Sequence, residues 1–189
     1  MNNNKIKKLT GTSIFMALVI VLQLISNYIT LGPVSITLAL VPIALGAIIY
    51  GPLAGLFLGL VHGAIVIVSP STLAAFMPLY PVQTVFVCLL KSGIAGLVSG
   101  LIFKYLRNKN FTLSIILASL CVPIINTGLF AVAMLTLLRP LLDSWTSEGN
   151  AVGYLFLSVI GYNFLIEFVI NSALTPTIIS LTKLKEKIK

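Results

Sequence analysis

Charged residues are the first thing this sequence lacks. Only 8% of its 189 residues are charged and only four are acidic, whereas a soluble globular domain has about 25% charged residues. Hydrophobic residues make up 58% of the chain, and the mean hydropathy is +1.11. This composition excludes an ordinary water-soluble fold, so we expect the chain to be embedded in a lipid bilayer.

Residues that bind metals or perform catalysis are scarce as well. The two cysteines, Cys88 and Cys121, lie inside apolar runs and are interpreted as small buried hydrophobic residues. The sequence has no Gly-x-x-x-x-Gly-Lys-Ser/Thr phosphate loop, no His-Glu-x-x-His pair and no Gly-x-Ser-x-Gly turn. We therefore expect no catalytic residues, no metal, no cofactor and no ATP hydrolysis by this chain.

Basic residues outnumber acidic ones, which gives a net charge of +8. Ten of the twelve lysines and arginines fall in three short clusters, at residues 5–8, 104–109 and 183–189. Clusters between apolar runs indicate membrane orientation and not nucleic-acid binding, because positive residues stay on the cytoplasmic side. This rule predicts cytoplasmic termini and places the loops at 30–37, 69–80 and 139–150 outside.

Apolar runs fill most of the remaining chain, and Pro or Gly-Pro pairs separate several of them. We predict an all-α integral membrane protein, a single domain over 1–189 with six transmembrane helices at about 11–29, 38–50, 53–68, 81–105, 111–138 and 153–182. Pro42 is expected to kink or tilt the second span. The glycines Gly55, Gly59 and Gly63 form a stripe on the third span that permits close approach of another helix.

The last span carries an unusual polar stripe. Asn163, Glu167 and Asn171 recur every fourth residue, so a helix places them on one face. A carboxyl group in the hydrocarbon layer costs several kcal/mol, about 2.5 or more on the mildest scales, unless it faces protein or ligand. We therefore interpret this segment as one side of a polar pocket.

Lys91 is the only basic residue deep inside a predicted span. It lies about 15 Å below the outer end of the fourth span, and Glu167 lies about 20 Å below that of the sixth, at 1.5 Å per residue. Lys91 and Glu167 could form an ion pair whose only role is to neutralise the two buried charges. The alternative is a pocket in which Lys91 faces the carboxylate of a ligand.

Five further residues are candidates for ligand contacts, with competing structural roles. Asn126 and Thr127 could hydrogen-bond a ligand or satisfy the carbonyl freed by Pro123. His62, the only histidine, lacks the neighbours of a metal site and could contact a ligand or serve the core. Tyr80 and Gln83 flank the outer end of the fourth span, where they could close a pocket.

Ser13 and Ala17 form a small-xxx-small pair on the first span. Such a pair permits close helix contact, either within the chain or with a partner. The Gly-Pro turn and the spaced glycines that follow it lie in one continuous run, Val41-Pro-Ile-Ala-Leu-Gly-Ala-Ile-Ile-Tyr-Gly-Pro-Leu-Ala-Gly-Leu-Phe-Leu-Gly59.

Over nearly its whole length the chain resembles the substrate-binding S components of energy-coupling factor (ECF) vitamin transporters. The run from Val41 to Gly59, with its proline, Gly-Pro turn and glycine-spaced helix, is the most specific similarity. The resemblance implies capture of a small vitamin-like solute at the plasma membrane. It also implies a transmembrane coupling protein and two ATPase subunits as partners, docked on Ser13-x-x-x-Ala17, where Ser13 replaces the usual first alanine.

Two segments are similar to the pantothenate-type S components, namely Asn126-Thr127-Gly128 and Gly161-x-Asn163-x-x-x-Glu167. The usual Asn-Gly-x-Pro-Glu run is altered here, because Phe164 replaces the glycine and Ile166 the proline. Pantothenate is therefore the first expectation, and riboflavin, folate or a pyridoxine-like solute are alternatives. A structural scaffold protein and a solitary secondary carrier are the rival classes, although no inverted repeat supports the carrier.

Overall fold

The structure is a computed structural model that describes residues 3–31, 34–146 and 150–187. Helices make up nearly all of it. Their bounds, with one two-stranded sheet, are α1 (Asn3–Ser26), β1 (Thr30–Leu31), β2 (Val34–Ser35), α2 (Leu40–Tyr50), α3 (Pro52–Ile67), α4 (Pro70–Ala75), α5 (Pro81–Leu106), α6 (Phe111–Leu135), α7 (Arg139–Ser144), α8 (Ala151–Tyr154), a π-helical segment (Leu155–Gly161) and α9 (Tyr162–Lys187).

Four helical stretches of the described chain are long and apolar enough to cross a membrane: Lys5–Ser26, Pro81–Leu106, Phe111–Leu135 and Ala151–Leu184. The predicted spans at 38–50 and 53–68 correspond to α2 and α3, which have 11 and 16 residues. At 1.5 Å per residue these helices reach only about 16 and 24 Å, short of a hydrocarbon layer of about 30 Å.

Large apolar side chains are exposed around the outside of the bundle. Leu157 is 72% exposed, Val169 61% and Phe86 56%. A water-soluble protein of this size rarely leaves so much contiguous apolar surface uncovered. Lipid tails would cover such side chains, which agrees with the membrane setting predicted from composition.

Glycine determines how closely α3 and α5 pack. A Cβ atom added to Gly55 would collide with the backbone carbonyl of Gly96, and one added to Gly59 would collide with that of Ser92. The predicted glycine stripe of α3 therefore lies against α5. Gly51 forms the turn between α2 and α3 with φ +98°, a conformation that favours glycine.

Three local predictions were wrong. Pro42 lies in the first turn of α2, where proline is tolerated, so this helix begins near it and is not interrupted there. The predicted loops at 69–80 and 139–150 contain the short helices α4 and α7. The predicted all-helical architecture is confirmed, and within the segment predicted as a 30–37 loop the two-residue strands β1 and β2 pair antiparallel.

The β hairpin is tied to the helices on both sides. The backbone N–H of Leu38, just after the hairpin, donates to the hydroxyl of Ser26 at the end of α1 at 3.0 Å. The N–H of Thr37 donates to the carboxyl of Glu167 on α9 at 2.9 Å. These bonds hold the segment that follows β2 against α1 and α9.

Candidate functional site

Two adjoining cavities lie beneath the hairpin. The first has a volume of about 490 Å³ and the second about 310 Å³, each counted together with the open space at its mouth. They share five lining residues, namely Val34, Ser35, Thr37, Lys91 and Phe130. We call the first the outer cavity and the second the polar cavity, and treat the two as one site divided at Lys91.

Lys91 lies at the junction of the two cavities. Its side chain is buried, with 8% exposure, and its Nζ atom lies 5.0 Å from the centroid of the Phe130 ring. Within the described residues Lys91 makes no ion pair, so the direct pair with Glu167, one of the two alternatives that the sequence left open, is not formed. A buried ammonium group without a contacting carboxylate is suited to hold an anionic ligand.

Glu167 lines the polar cavity from α9. It is 4% exposed, and its Oε1 atom accepts the hydrogen bond from the Thr37 N–H. The hydroxyls of Thr37 and Thr127 also interact with this carboxyl group. Glu167 thus links the helix bundle to the segment that covers the site.

Three other predicted residues line the polar cavity, namely Asn126, Thr127 and Asn163. The Oδ1 atom of Asn126 lies 3.3 Å from the hydroxyl of Ser92. Asn163 donates from Nδ2 to the carbonyl of Val159 at 3.0 Å. The structure therefore brings Lys91, Glu167 and these three residues together around one cavity.

Three predicted residues lie elsewhere. His62 is fully buried behind the site, where Ser92 and Gln23 bind its two ring nitrogens. Tyr80 is half-buried at the start of α5 and packs against apolar residues, and Gln83 is half-buried one turn further on. None of the three lines either cavity.

The structure adds cavity residues that the sequence did not single out. Thr84 and Cys88 line the outer cavity on the face of α5 that also carries Lys91, and Phe130 follows Asn126 by four residues on α6. These positions repeat with helical spacing, so a search of the faces that carry Lys91 and Asn126 would have found them. Ser35 and Thr37 had no such signal, because their position depends on the hairpin.

The predicted docking pair lies on the outer surface of the bundle. Ser13 and Ala17 are both exposed on α1, and the Ser13 hydroxyl donates to the carbonyl of Leu9 at 3.0 Å. The surface is open to lipid or to another protein.

The described helices form an apolar bundle in which polar side chains, among them Lys91, Asn126 and Glu167, meet at a cavity, as a membrane protein that binds a small solute would require. The family model described as "ECF transporter, substrate-specific component" matches residues 7–179. The chain therefore belongs to the ECF transporter substrate-specific component family and is a multi-pass protein of the plasma membrane. The resemblance seen in the sequence is confirmed.

Two curated relatives are similar over nearly their whole length. The chain is 29% identical to the pantothenate transporter PanT of Leuconostoc mesenteroides, covering 94% of this chain and 93% of the relative. It is 28% identical to the pantothenic acid transporter PanT of Lactococcus lactis, covering 97% of each. No solved structure matches the chain.

Proposed function

We propose that this chain captures pantothenate, or a closely similar carboxylic acid, from outside the cell for import. The observation that carries the proposal is Lys91, a buried ammonium group at the junction of two cavities with no ion-pair partner in the described chain. The similarity to two pantothenate transporters supports pantothenate among the anionic vitamins.

Pantothenate has one carboxylate, one amide and two hydroxyl groups beside a gem-dimethyl carbon. In the proposed complex the carboxylate binds Lys91, because a charge-assisted hydrogen bond is stronger than one between neutral groups. The hydroxyls bind the amides and the carboxyl of the polar cavity, supplied by Asn126, Asn163 and Glu167. The hydroxyl of Thr127 completes this set.

A variant pair tests the site. Lys91→Met keeps the length and apolar character of the side chain but removes its charge, so we expect pantothenate affinity to fall by about 10- to 100-fold, as for loss of a hydrogen bond to a charged group. Lys104→Met, an exposed lysine of the same helix, is the matched control and should leave the affinity unchanged. Calorimetric titration of the purified proteins measures both; equal affinity in the wild type and Lys91→Met would rule out this role.

The partners follow from family membership. We propose that a transmembrane coupling protein and two ATPase subunits drive import, and that Ser13 and Ala17 form part of the surface that docks the coupling protein. Small residues on an exposed, otherwise apolar helix face allow a second helix to approach closely. The ATPase subunits would supply the energy that this chain, without a phosphate loop, is not expected to obtain from ATP itself.

The proposed topology has six spans in one domain, with both termini in the cytoplasm. The three basic clusters are the basis for this orientation, because positive residues stay on the cytoplasmic side. In this arrangement α2 and α3 are the second and third spans, shortened because they pack as a pair against α5, and the hairpin side of the site faces outside.

A further inference from the structure

A chain of buried polar side chains connects α1 to the polar cavity. Gln23 Nε2 lies 3.0 Å from Asn27 Oδ1, and Gln23 Oε1 lies 2.9 Å from His62 Nε2. His62 Nδ1 lies 2.8 Å from the Ser92 hydroxyl, which lies 3.3 Å from Asn126 Oδ1. Gln23, His62 and Ser92 are fully buried, and Asn126, at 3% exposure, is the one member that lines the cavity.

The hydrogen bonds that link these side chains must all have the same donor-to-acceptor direction. A neutral imidazole donates from one nitrogen and accepts at the other, and a serine hydroxyl has one proton to donate. If Gln23 Oε1 faces the ring, Nε2 carries the proton and Nδ1 takes the proton of Ser92. Ser92 then has none left for Asn126 Oδ1, so either the Asn126 amide must be turned around, or the Gln23 amide and with it that of Asn27, changes that leave the shape of an amide unaltered.

Two consistent arrangements remain. In the first, His62 carries its proton on Nε2, Ser92 donates to the ring, and Asn126 turns its NH₂ group to Ser92 and its carbonyl oxygen to the cavity. In the second, both Asn27 and Gln23 are turned around: Asn27 donates to Gln23 Oε1, Gln23 donates to His62 Nε2, His62 Nδ1 donates to Ser92, and Ser92 donates to Asn126 Oδ1. Asn126 then presents its NH₂ group to the cavity.

We propose that His62 is a positioning residue of the substrate site and that, with ligand bound, its ring carries the proton on Nδ1, so that Asn126 donates from its NH₂ group to the ligand. This inference rests on the proposed function, because it requires an anionic, oxygen-rich ligand beside Asn126. Carboxylate, amide and hydroxyl oxygens of such a ligand all accept hydrogen bonds. The chain Gln23–His62–Ser92 thereby selects for acceptor groups at this point of the cavity.

The single histidine makes the tautomer directly measurable. Protein labelled with ¹⁵N-histidine in lipid nanodiscs gives one pair of imidazole resonances, whose shifts distinguish a protonated nitrogen from a bare one. In the presence of saturating pantothenate we expect the proton on Nδ1. A proton on Nε2 in the complex, or a mixture of both tautomers, would overturn the proposal.

Two buried serines of α5 provide a matched pair of variants. Ser92→Ala interrupts the chain, whereas Ser99→Ala removes a hydroxyl that donates to the carbonyl of Ala118 at 2.7 Å away from both cavities. We expect Ser92→Ala to weaken pantothenate binding about 3- to 10-fold, the value of one hydrogen bond, and to release the tautomer preference. Ser99→Ala should leave both the pantothenate affinity and the tautomer preference unchanged, even if both variants have lower thermal midpoints.

Substitution of the histidine itself tests for rescue. His62→Gln still donates and accepts, so it should retain more of the affinity than His62→Leu, which can do neither. If wild-type protein binds pantothenate and Ser92→Ala binds it equally well, this inference fails while the proposed function stands. If the wild type binds no anionic vitamin, the proposed function fails and the inference fails with it.

Discussion

Single polar residues in this protein indicate a functional site mainly because burying a polar group in the bilayer costs free energy. Glu167, Asn126 and Lys91 stand out in an apolar sequence for that reason, and the structure places all three at one cavity. The partners of these residues were less accessible to sequence analysis. The contact between Thr37 and Glu167 joins positions 130 residues apart in the chain, and no local pattern predicts it.

Glu167 offers a stability prediction. Glu167→Gln keeps an acceptor oxygen for the Thr37 N–H, whereas Glu167→Leu leaves that buried N–H without a partner. An unsatisfied buried donor costs about 1–3 kcal/mol, so Glu167→Leu should lower the thermal midpoint well below that of Glu167→Gln. Thermal unfolding of both variants without ligand measures the difference, and equal midpoints would show that this hydrogen bond contributes nothing.

Elements with long apolar runs were predictable from the sequence, and those determined by tertiary contacts were not. The long helices α5 and α6 follow from continuous apolar runs with turn residues at their ends. The β hairpin has strands of only two residues each, too short for an alternating pattern. The π-helical segment Leu155–Gly161 likewise has no sequence signal that we can identify.

The packing of α3 on α5 gives a prediction at the level of elements. Gly59→Ala puts a methyl group against the Ser92 carbonyl, whereas Gly128→Ala on α6 points into open space. We expect Gly59→Ala to destabilise by about 1–3 kcal/mol, as overpacking does. Gly128→Ala should be neutral or stabilising by up to about 1 kcal/mol, because alanine favours the helix.

Thermal unfolding in detergent compares these two helical glycines under identical conditions. A loss of stability in Gly128→Ala equal to that in Gly59→Ala would contradict the close-approach explanation, since only one site is crowded.

Docking of partners concerns the exposed face of α1. Ala17→Trp should reduce co-purification with the coupling protein and ATPases, because a large ring prevents close helix approach, while pantothenate affinity of the isolated chain stays unchanged. Val169→Trp, at an exposed apolar position of α9, is the control and should retain the partners. Loss of partners in both variants would point to a general defect instead of a docking surface.

At the scale of the whole molecule, the three basic clusters predict the topology. A cysteine at Asp143 should react with an impermeant maleimide in intact cells, whereas one at Lys109 should react only after the membrane is opened. Both positions are exposed. Labelling of Lys109→Cys from outside would contradict the orientation inferred from the basic clusters.

The six-span arrangement has its own test at the turn between α2 and α3. Leu53, next to this turn, is 70% exposed, and with six spans it lies near the cytoplasmic surface. Leu53→Cys should therefore be labelled from the cytoplasmic side of inverted membranes. If α2 and α3 instead turn back within the bilayer, this cysteine will be protected from both sides.

The central claim is that the cavities beneath the hairpin bind an anionic vitamin, and a binding titration of the purified chain tests it most directly. Pantothenate, riboflavin, folate and pyridoxine would be titrated separately, with thermal stabilisation as a second readout. A ligand at a hundredfold excess over Kd stabilises the folded state by about 2.7 kcal/mol. We predict tight binding and a raised thermal midpoint with pantothenate alone, both lost in Lys91→Met. Tight binding of an uncharged vitamin, or no binding across the panel, would contradict the account.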